Sequence, residues 1–414
     1  MDRLRQANQS LYRLTVQTSH LAAAHQASNN AVRQATPNFQ AIKDQAESFH
    51  SALSHGWKCP CMADHSVSLR LEARTNDASS DDEDEESVQD PFHVLFRYGH
   101  RHSPDPVLAK PWTWEEADVR FQYDSQTTLT SSAGDVQSGK GVRFAKQAIP
   151  KAVKAALEPQ PNLQPIQDLC SAISTLQKPQ RDVCFSLLAN EIAKQKYGVL
   201  LITPTKQLPP DTDTWSVSSL GAILQDPKFA QQDRLKLAIT LASSVLQLHE
   251  TPWLEDNWGK ENIFFINRPG KTHYDQPFVS QHFNTTTQNA TPAVPNQMSC
   301  IIRNQTLYAL GVALIELWYR KPIDELYQDA DGPQNTGNDI LDLLTEFETA
   351  DRLAKALLSE AGARYSDAVR RCIRCDFDQR ASSLEDAGFQ KAVYQGVVAP
   401  LQADYDHLFQ IHPD

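Results

Sequence analysis

"LHETPWLEDNWGKENIFF", residues 248–265, is the stretch on which the reading of this chain turns. It closes "QQDRLKLAITLASSVLQLHE", where Ala238, Leu241, Ala242, Val245 and Leu246 fall at i, i+3, i+4, i+7 and i+8 and so predict one buried face of a helix. It ends in "NIFF", a short apolar run that predicts a strand. The polar loop between them is bracketed by Trp253 and Trp258. Indoles in that position fill volume and donate one hydrogen bond each, or form a platform on which a ligand stacks.

Downstream, "QTLYALGVALIELWYRKPI" repeats the helical stripe with Leu307, Leu310, Gly311, Leu314, Ile315 and Trp318, and is apolar enough to be central. Residues 266–300 between the two helices are rich in Thr, Asn, Gln and Pro and predict a long irregular segment, functional or mobile. Upstream the texture is different. "VSLRLEAR", "FHVLFRYG", "GVRFAKQA" and "YGVLLITP" alternate with period two and predict antiparallel strands, with helical text at "IQDLCSAISTLQ". The six consecutive acids from Asp81 to Glu86 predict a solvated, disordered loop over 76–90, with Ser79 and Ser80 in a context that acidophilic kinases favour. Near the start, Phe39, Ile42, Ala46, Phe49 and Leu53 share one helical face, which needs either this protein's own body or another chain to cover it. The organisation expected is an N-terminal helical segment over 1–58, a small sheet region over 59–205 and a helical region over 206–414.

At 414 residues, with 40% hydrophobic and 22% charged residues, the chain can bury a sizeable core. Its 15 glycines are about half the usual share of roughly 7%, so glycine-built phosphate loops are scarce. A net charge of -12, without a Lys or Arg cluster, argues against a nucleic-acid partner. No stretch approaches the roughly 18 apolar residues of a membrane span, and "MDRLRQANQSLYRL" lacks the core of a signal peptide. Seven cysteines spread from Cys59 to Cys375 fit reduced thiols. A cytoplasmic protein without a transmembrane segment is expected.

Three stretches together resemble a protein kinase. "SSLGAILQDPKFAQQDRLKLAITLASSVLQLHE" resembles the short helix leading into the long helix that ends in Leu-His, and "LYALGVALIELWYRKPI" resembles the core helix followed by Gly-Lys-x-Pro. "AVRRCIRCDFDQRASSLED" resembles the late pattern of Cys-Leu, Asp-Pro and Arg-Pro-Ser, with Arg380 on the family's buried arginine. A more specific resemblance is to a fungal family of unknown function with a degenerate kinase-like half, carried by "WKCPCMADHSVSLRLEAR", "IQDLC", "LASSVLQLHETPWL", "NIFF" and "QPFVSQHF". In that family a helical domain associated with prion inhibition and propagation and with cell death often comes first. Here only residues 1–56 precede the first signature, room for at most a remnant. The resemblance implies an α+β, protein-kinase-like two-lobe fold, a small antiparallel sheet lobe and a larger helical lobe, with an N-terminal helix.

The same resemblance lets the chemistry be tested residue by residue. Kinases carry H-R-D-x-x-x-x-N, in which the Asp takes the substrate proton and the Asn holds magnesium. Matching the last Asn to Asn262 puts Glu255 on the His, Asp256 on the Arg and Asn257 on the Asp, so the base becomes an amide. The degenerate loop positions are Asn257, Lys260 and Asn262. Nothing between Asn262 and Cys300 reads Asp-Phe-Gly; "QPFVSQHF" stands in its place, with Asp275 the only acid nearby. The one Gly-x-Gly, Gly139-Lys140-Gly141, has Phe144 where a third glycine belongs, and as a Walker loop it lacks the Ser or Thr after its Lys. Lys146 is the ambiguous strand lysine, a surface residue being the simpler use. Arg380 is expected to be structural, although "AVPNQ" near residue 295 offers no glutamate to pair with it.

Cys59, Cys61 and His65 offer three zinc ligands, whereas tetrahedral zinc takes four and the usual spacing is Cys-x2-Cys. Cys372 and Cys375 read as small buried hydrophobes. The sequence therefore points to a catalytically inactive pseudokinase without cofactor or metal that works by binding a protein partner in fungal signalling or self-recognition. The alternatives are a divergent ATP-dependent phosphotransferase and a nucleotide-binding sensor without transfer.

Overall fold

A computed structural model describes residues 37–58, 65–74, 91–98, 113–122, 166, 168–170, 172, 184–190, 195–201, 215–268, 271–283, 301–377 and 382–409. The architecture is α+β: an antiparallel sheet and a layer of helices, with most strands ahead of most helices, as expected of a kinase-like chain. Helix α1 (Phe39–Gly56) leads into strands β1 (His65–Arg70), β2 (Phe92–Tyr98), β3 (Thr113–Gln122), β4 (Cys184–Asn190) and β5 (Gln195–Leu201). Then come β6 (Ser216–Ser219), the short α2 (Leu220–Leu224), α3 (Gln231–Leu248), and the hairpin β7 (Phe264–Arg268) and β8 (Lys271–Phe283). The helical part continues with α4 (Gln305–Tyr319), a 3-10 turn (Ile323–Leu326), α5 (Asp339–Glu360), α6 (Ala363–Arg374), α7 (Ala387–Val393) and α8 (Ala399–Phe409).

All eight strands form one sheet in the order β4-β5-β3-β2-β1-β8-β7-β6. Period two decides what each strand buries. Phe92, Val94 and Phe96 of β2 face the main core with Val67, Leu69 and Val279, while Leu95 turns to the opposite face and meets Ile266 and Phe278. The join between early and late strands is β1 on β8, where His65 to Arg70 pair with Phe283 to Phe278 in continuous antiparallel register. Ser68 and Ser280 add a hydroxyl–hydroxyl hydrogen bond of 2.6 Å across that pair.

Strand β8 overturns the expectation of an irregular run throughout 266–300. Pro277 cannot donate to a ladder. It is accommodated where the β7–β8 register shifts, opposite Phe265, and its carbonyl accepts the Leu71 N–H at 2.8 Å. The predicted loop over 76–90, with Ser79 and Ser80, lies outside the described residues, as do Gly139, Lys140, Gly141, Phe144 and Lys146.

Helix α1 finds its partner within the chain. Phe39, Ile42, Ala46, Phe49 and Leu53 are buried, and the Phe49 ring stacks between Phe92 at 5.5 Å and Trp253 at 5.8 Å. The buried Lys43 ammonium pairs with Glu385 and lies 3.8 Å from Glu250. Central helix α4 is capped by Asn304, whose side chain accepts the Leu307 N–H at 2.9 Å, and is buried along Leu307, Leu310, Ala313, Leu314 and Leu317. Gly311 allows α6 to approach: a Cβ there would lie 2.7 Å from Ile373 Cδ1 and 3.0 Å from Cys372 Cβ.

Helix propensity alone says that Gly311→Ala should stabilise by roughly 1 kcal/mol. The close approach of α6 reverses the sign, and we expect a loss of about 1–3 kcal/mol in urea unfolding, as for other overpacked cores. An unchanged or raised midpoint would show that α6 yields freely.

Candidate functional site

The loop 249–263 is built from its two ends inward. His249 caps α3, buried, with Nδ1 3.2 Å from the Leu246 carbonyl; burial lowers its pKa, which keeps the ring neutral at pH 7. Glu250 takes a left-handed φ of 55°, which lets the chain turn sharply out of the helix. Thr251 then closes a local turn, donating to Leu248 O at 2.7 Å and accepting Trp253 N–H at 3.2 Å. The two indoles pin the loop to the helices on either side. Trp253, 2% exposed, donates to Ala46 O of α1 at 2.9 Å, and Trp258 donates to Thr306 O at the start of α4 at 3.3 Å.

Asn257 is exposed at the loop's outer bend. Its neighbour Asp256 accepts the Thr306 hydroxyl at 3.1 Å. Asn262 is also exposed and its amide oxygen is committed locally, accepting the Gly259 N–H at 2.9 Å. Lys260 turns inward to Glu316 of α4, Nζ to Oε1 3.2 Å. Glu316 is 1% exposed and also accepts the Ile323 N–H at 2.9 Å, so each carboxylate contact ties the loop or the following 3-10 turn to the central helix.

Charge on this pair is set by two opposed effects. Burial raises the Glu316 pKa, against the pull of the Ile323 N–H and the Lys260 ammonium. Burial lowers that of Lys260, but Glu316, by its charge and its hydrogen bond, together with the charges of Asp324 and Glu261, outweighs burial and leaves the ammonium with a raised pKa. The ammonium is thus held charged by its acidic neighbours, while burial works against the charge on Glu316.

Asp275 does not join this group. It lies on β8, exposed, with Lys236 at 4.0 Å and His273 at 3.8 Å, and lines a separate groove with Arg70 and Glu72. "QPFVSQHF" is strand throughout, its last six residues paired with β1. Among the described residues no group of three or more His, Cys, Asp or Glu is arranged to hold a metal. Cys59, Cys61 and Arg380 lie outside the described residues, while His65 is buried on β1 with its ring stacked on Trp57 at 4.5 Å. Cys372 and Cys375 are both buried, and burial raises both thiol pKa values, which disfavours the reactive thiolate.

Beside the loop is a cavity of about 280 Å³, walled by Trp258, Val312 and Leu343 and edged by Lys260, Glu316 and Glu346. Sequence reasoning missed Glu316, Tyr308 and Glu346 here. A lone Glu inside the apolar "GVALIELWY" was the one visible signal, because an acid on a buried helix needs a partner.

The fold defines an α+β chain built on one antiparallel sheet with helices packed around it. The chain belongs to the family described as Domain of unknown function (DUF7580), whose sequence model matches residues 38–407. No curated protein matches it. Among solved structures it is similar to the pseudokinase domain of BIR2, an immune regulator of the RLK/Pelle family, at 11% identity over 89% of this chain and 96% of that one, with a TM-score of 0.27. It is also similar to a Neurospora crassa complex of PAN2 with PAN3 (pseudokinase and C-terminal region), at 8% identity over 89% and 71%, TM-score 0.29. A third is the PknI kinase domain of Mycobacterium tuberculosis, at 12% over 75% and 94%, TM-score 0.25. Likenesses at this level bear on neither activity nor partner. Among the described residues no helix is long and apolar enough to cross a membrane.

Two substitutions test the way the loop is held. Trp253→Ala removes a buried indole and its bond to α1, and should cost about 3–5 kcal/mol in chemical denaturation. Lys260→Met strands the Glu316 carboxylate and should cost about 2–3 kcal/mol at pH 7, less than a fully buried pair because the ammonium keeps contact with water. A carboxyl whose folded pKa exceeds its ordinary 4.5 binds its proton more tightly in the folded state, so its contribution falls as pH rises through that window. The Lys260→Met variant should accordingly recover stability, relative to the unmodified protein, between pH 7 and pH 5. A pH-independent difference would contradict the assignment.

Proposed function

We propose that this chain is a catalytically silent kinase-like protein that acts as a binding or regulatory module. The observation that carries the reading is strand β8: the stretch standing where a kinase carries its metal-binding Asp-Phe-Gly is paired into the sheet against β1, and its nearest acid, Asp275, lines a different groove from Asn257 and Lys260. Asn257 has no basic lone pair near neutral pH, so it can orient a hydroxyl but cannot accept its proton. Asn262, on the family's magnesium-binding position, spends its oxygen on Gly259. Phosphoryl transfer depends almost entirely on positioning and charge neutralisation, and these residues supply neither. A setting in fungal signalling or self-recognition, in the cytoplasm, follows from the resemblance of its sequence signatures and from nothing in the geometry. Arg380 as a buried structural arginine stands as a proposal of the same kind, whereas Cys59, Cys61 and His65 remain one ligand short of a tetrahedral zinc site.

Purified protein with magnesium and radiolabelled ATP should show no transfer above background to itself or to generic protein substrates. Asn257→Asp should not restore it, because the metal carboxylate would still be missing. Transfer by the unmodified protein, abolished by changing Asn262 or Asp275, would overturn the reading in favour of a divergent phosphotransferase.

A further inference from the structure

A second cavity of about 300 Å³ adjoins the one beside the loop, the two sharing Ile323 and Glu346 in their linings. Together they make a groove between α4, the 3-10 turn and α5. Its walls include Trp258, Val312 and Leu343, but its edges carry the carboxylates of Asp256, Glu316, Asp324, Asp342 and Glu346. Among the described residues the only basic one in the lining is Lys260, and its ammonium is engaged with Glu316 at 3.2 Å and lies 3.8 Å from Asp324. Asp256 is held by the Thr306 hydroxyl and Asp342 by the Thr336 amide and hydroxyl, at 2.9 and 3.0 Å. Glu346 has the Tyr308 hydroxyl at 3.1 Å and no basic side chain within ion-pair distance among the described residues. The groove thus presents uncompensated negative charge above an apolar floor.

Outside the groove, Ile340 (43% exposed) and Leu344 (41% exposed) stand one turn apart on α5, an apolar ridge next to Leu343. The wall carrying it is tied to the chain before it by side-chain bonds. Arg352 of α5 makes a two-pronged bond to Asp331 at 2.7 and 2.8 Å, and Thr345 donates to Pro333 O at 2.9 Å. Carboxylates at the rim repel phosphates, so a nucleotide is the wrong chemistry. A single long cationic side chain, with apolar neighbours in its own chain, fits both the charge and the ridge.

Resting on the binding-module reading, we propose that this groove docks a segment of a separate partner polypeptide that inserts an Arg or Lys side chain beside Glu346 and lays flanking aliphatic side chains on Ile340 and Leu344. Pairing with Glu346 replaces lost hydration by a charge-assisted hydrogen bond, while the aliphatic flanks supply the area. Burial raises the Glu346 pKa even though water reaches part of the side chain, so binding should weaken on acidification as this carboxylate takes up a proton.

The test uses the full chain and fluorescein-labelled synthetic peptides with a fixed Leu- and Ala-containing frame and a central Arg, Lys, Gln or Glu, read by fluorescence anisotropy at low and high salt. Arg and Lys peptides should bind more tightly than Gln, and Glu least, with the preference shrinking as salt rises. Glu346→Gln should weaken the Arg peptide roughly tenfold and leave the Gln peptide unchanged, and Leu344→Ser should weaken all peptides by about fivefold, with melting temperatures unaltered. Equal binding of Arg and Glu peptides, binding by none, or indifference to Glu346→Gln would overturn the proposal. So would a dimer in sedimentation that Glu346→Gln dissolves, since the occupant would then be a second copy of this chain. Detection of phosphoryl transfer would remove the binding-module reading, yet the anisotropy series would still report on the groove.

Discussion

The pairing of β1 with β8 is the constraint on which the rest of the arrangement depends. Six consecutive residue pairs, from His65 with Phe283 to Arg70 with Phe278, join strands more than 200 positions apart in sequence. Closing so long a loop carries an entropic cost that grows only slowly with length, and it is offset by the ladder and by burial of Val67, Leu69, Phe278 and Val279. Because the register is fixed by period two, a slip of one residue would turn Val279 out of the main core and Phe278 into it. One continuous sheet results, and the hairpin that comes after the 249–263 loop is part of it.

That continuity fixes what the loop can do. With β8 committed to β1, the loop is suspended between α3, the β7 edge and α4, and held there by Trp253 on α1, Trp258 on α4 and Lys260 on Glu316. Its polar groups serve the turn itself: Thr251 on the helix end, Asn262 on Gly259, Asp256 on Thr306. Buried aromatic and charged groups are spent on placing α1 and α4, and the open face of the loop gives onto the groove along α5 rather than onto Asp275. The result is a loop held at three points beside an acidic groove with apolar walls.

Much of this was legible in the sequence where a single periodicity dominates. The stripes of α3 and α4, the face of α1 and the alternation in β1, β2 and β5 each carry enough apolar residues to declare their element. The sequence also shows an amide at Asn257 and no Asp-Phe-Gly between Asn262 and Cys300. Strand β8 was not legible, since Pro277 and the polar run from His273 to Gln276 mimic a loop, and only the partner strand β1 and the register shift opposite Phe265 make a strand possible. Nor were the pairs Lys260–Glu316, Tyr308–Glu346 and Lys43–Glu385, which are tertiary and leave no local signature. Glu316 was the partial exception, a carboxylate misplaced on an apolar helix.

Hydrogen–deuterium exchange of the β8 amides, read with and without magnesium and ATP, tests the central claim most directly. A strand locked into the sheet predicts that ladder-bonded amides within 278–283 exchange as slowly as those of β2, with rates unchanged by the nucleotide. Rapid exchange across 278–283, or protection that appears or disappears when magnesium and ATP are added, would show that this stretch leaves β1 to serve a metal and nucleotide site, and would contradict a silent module.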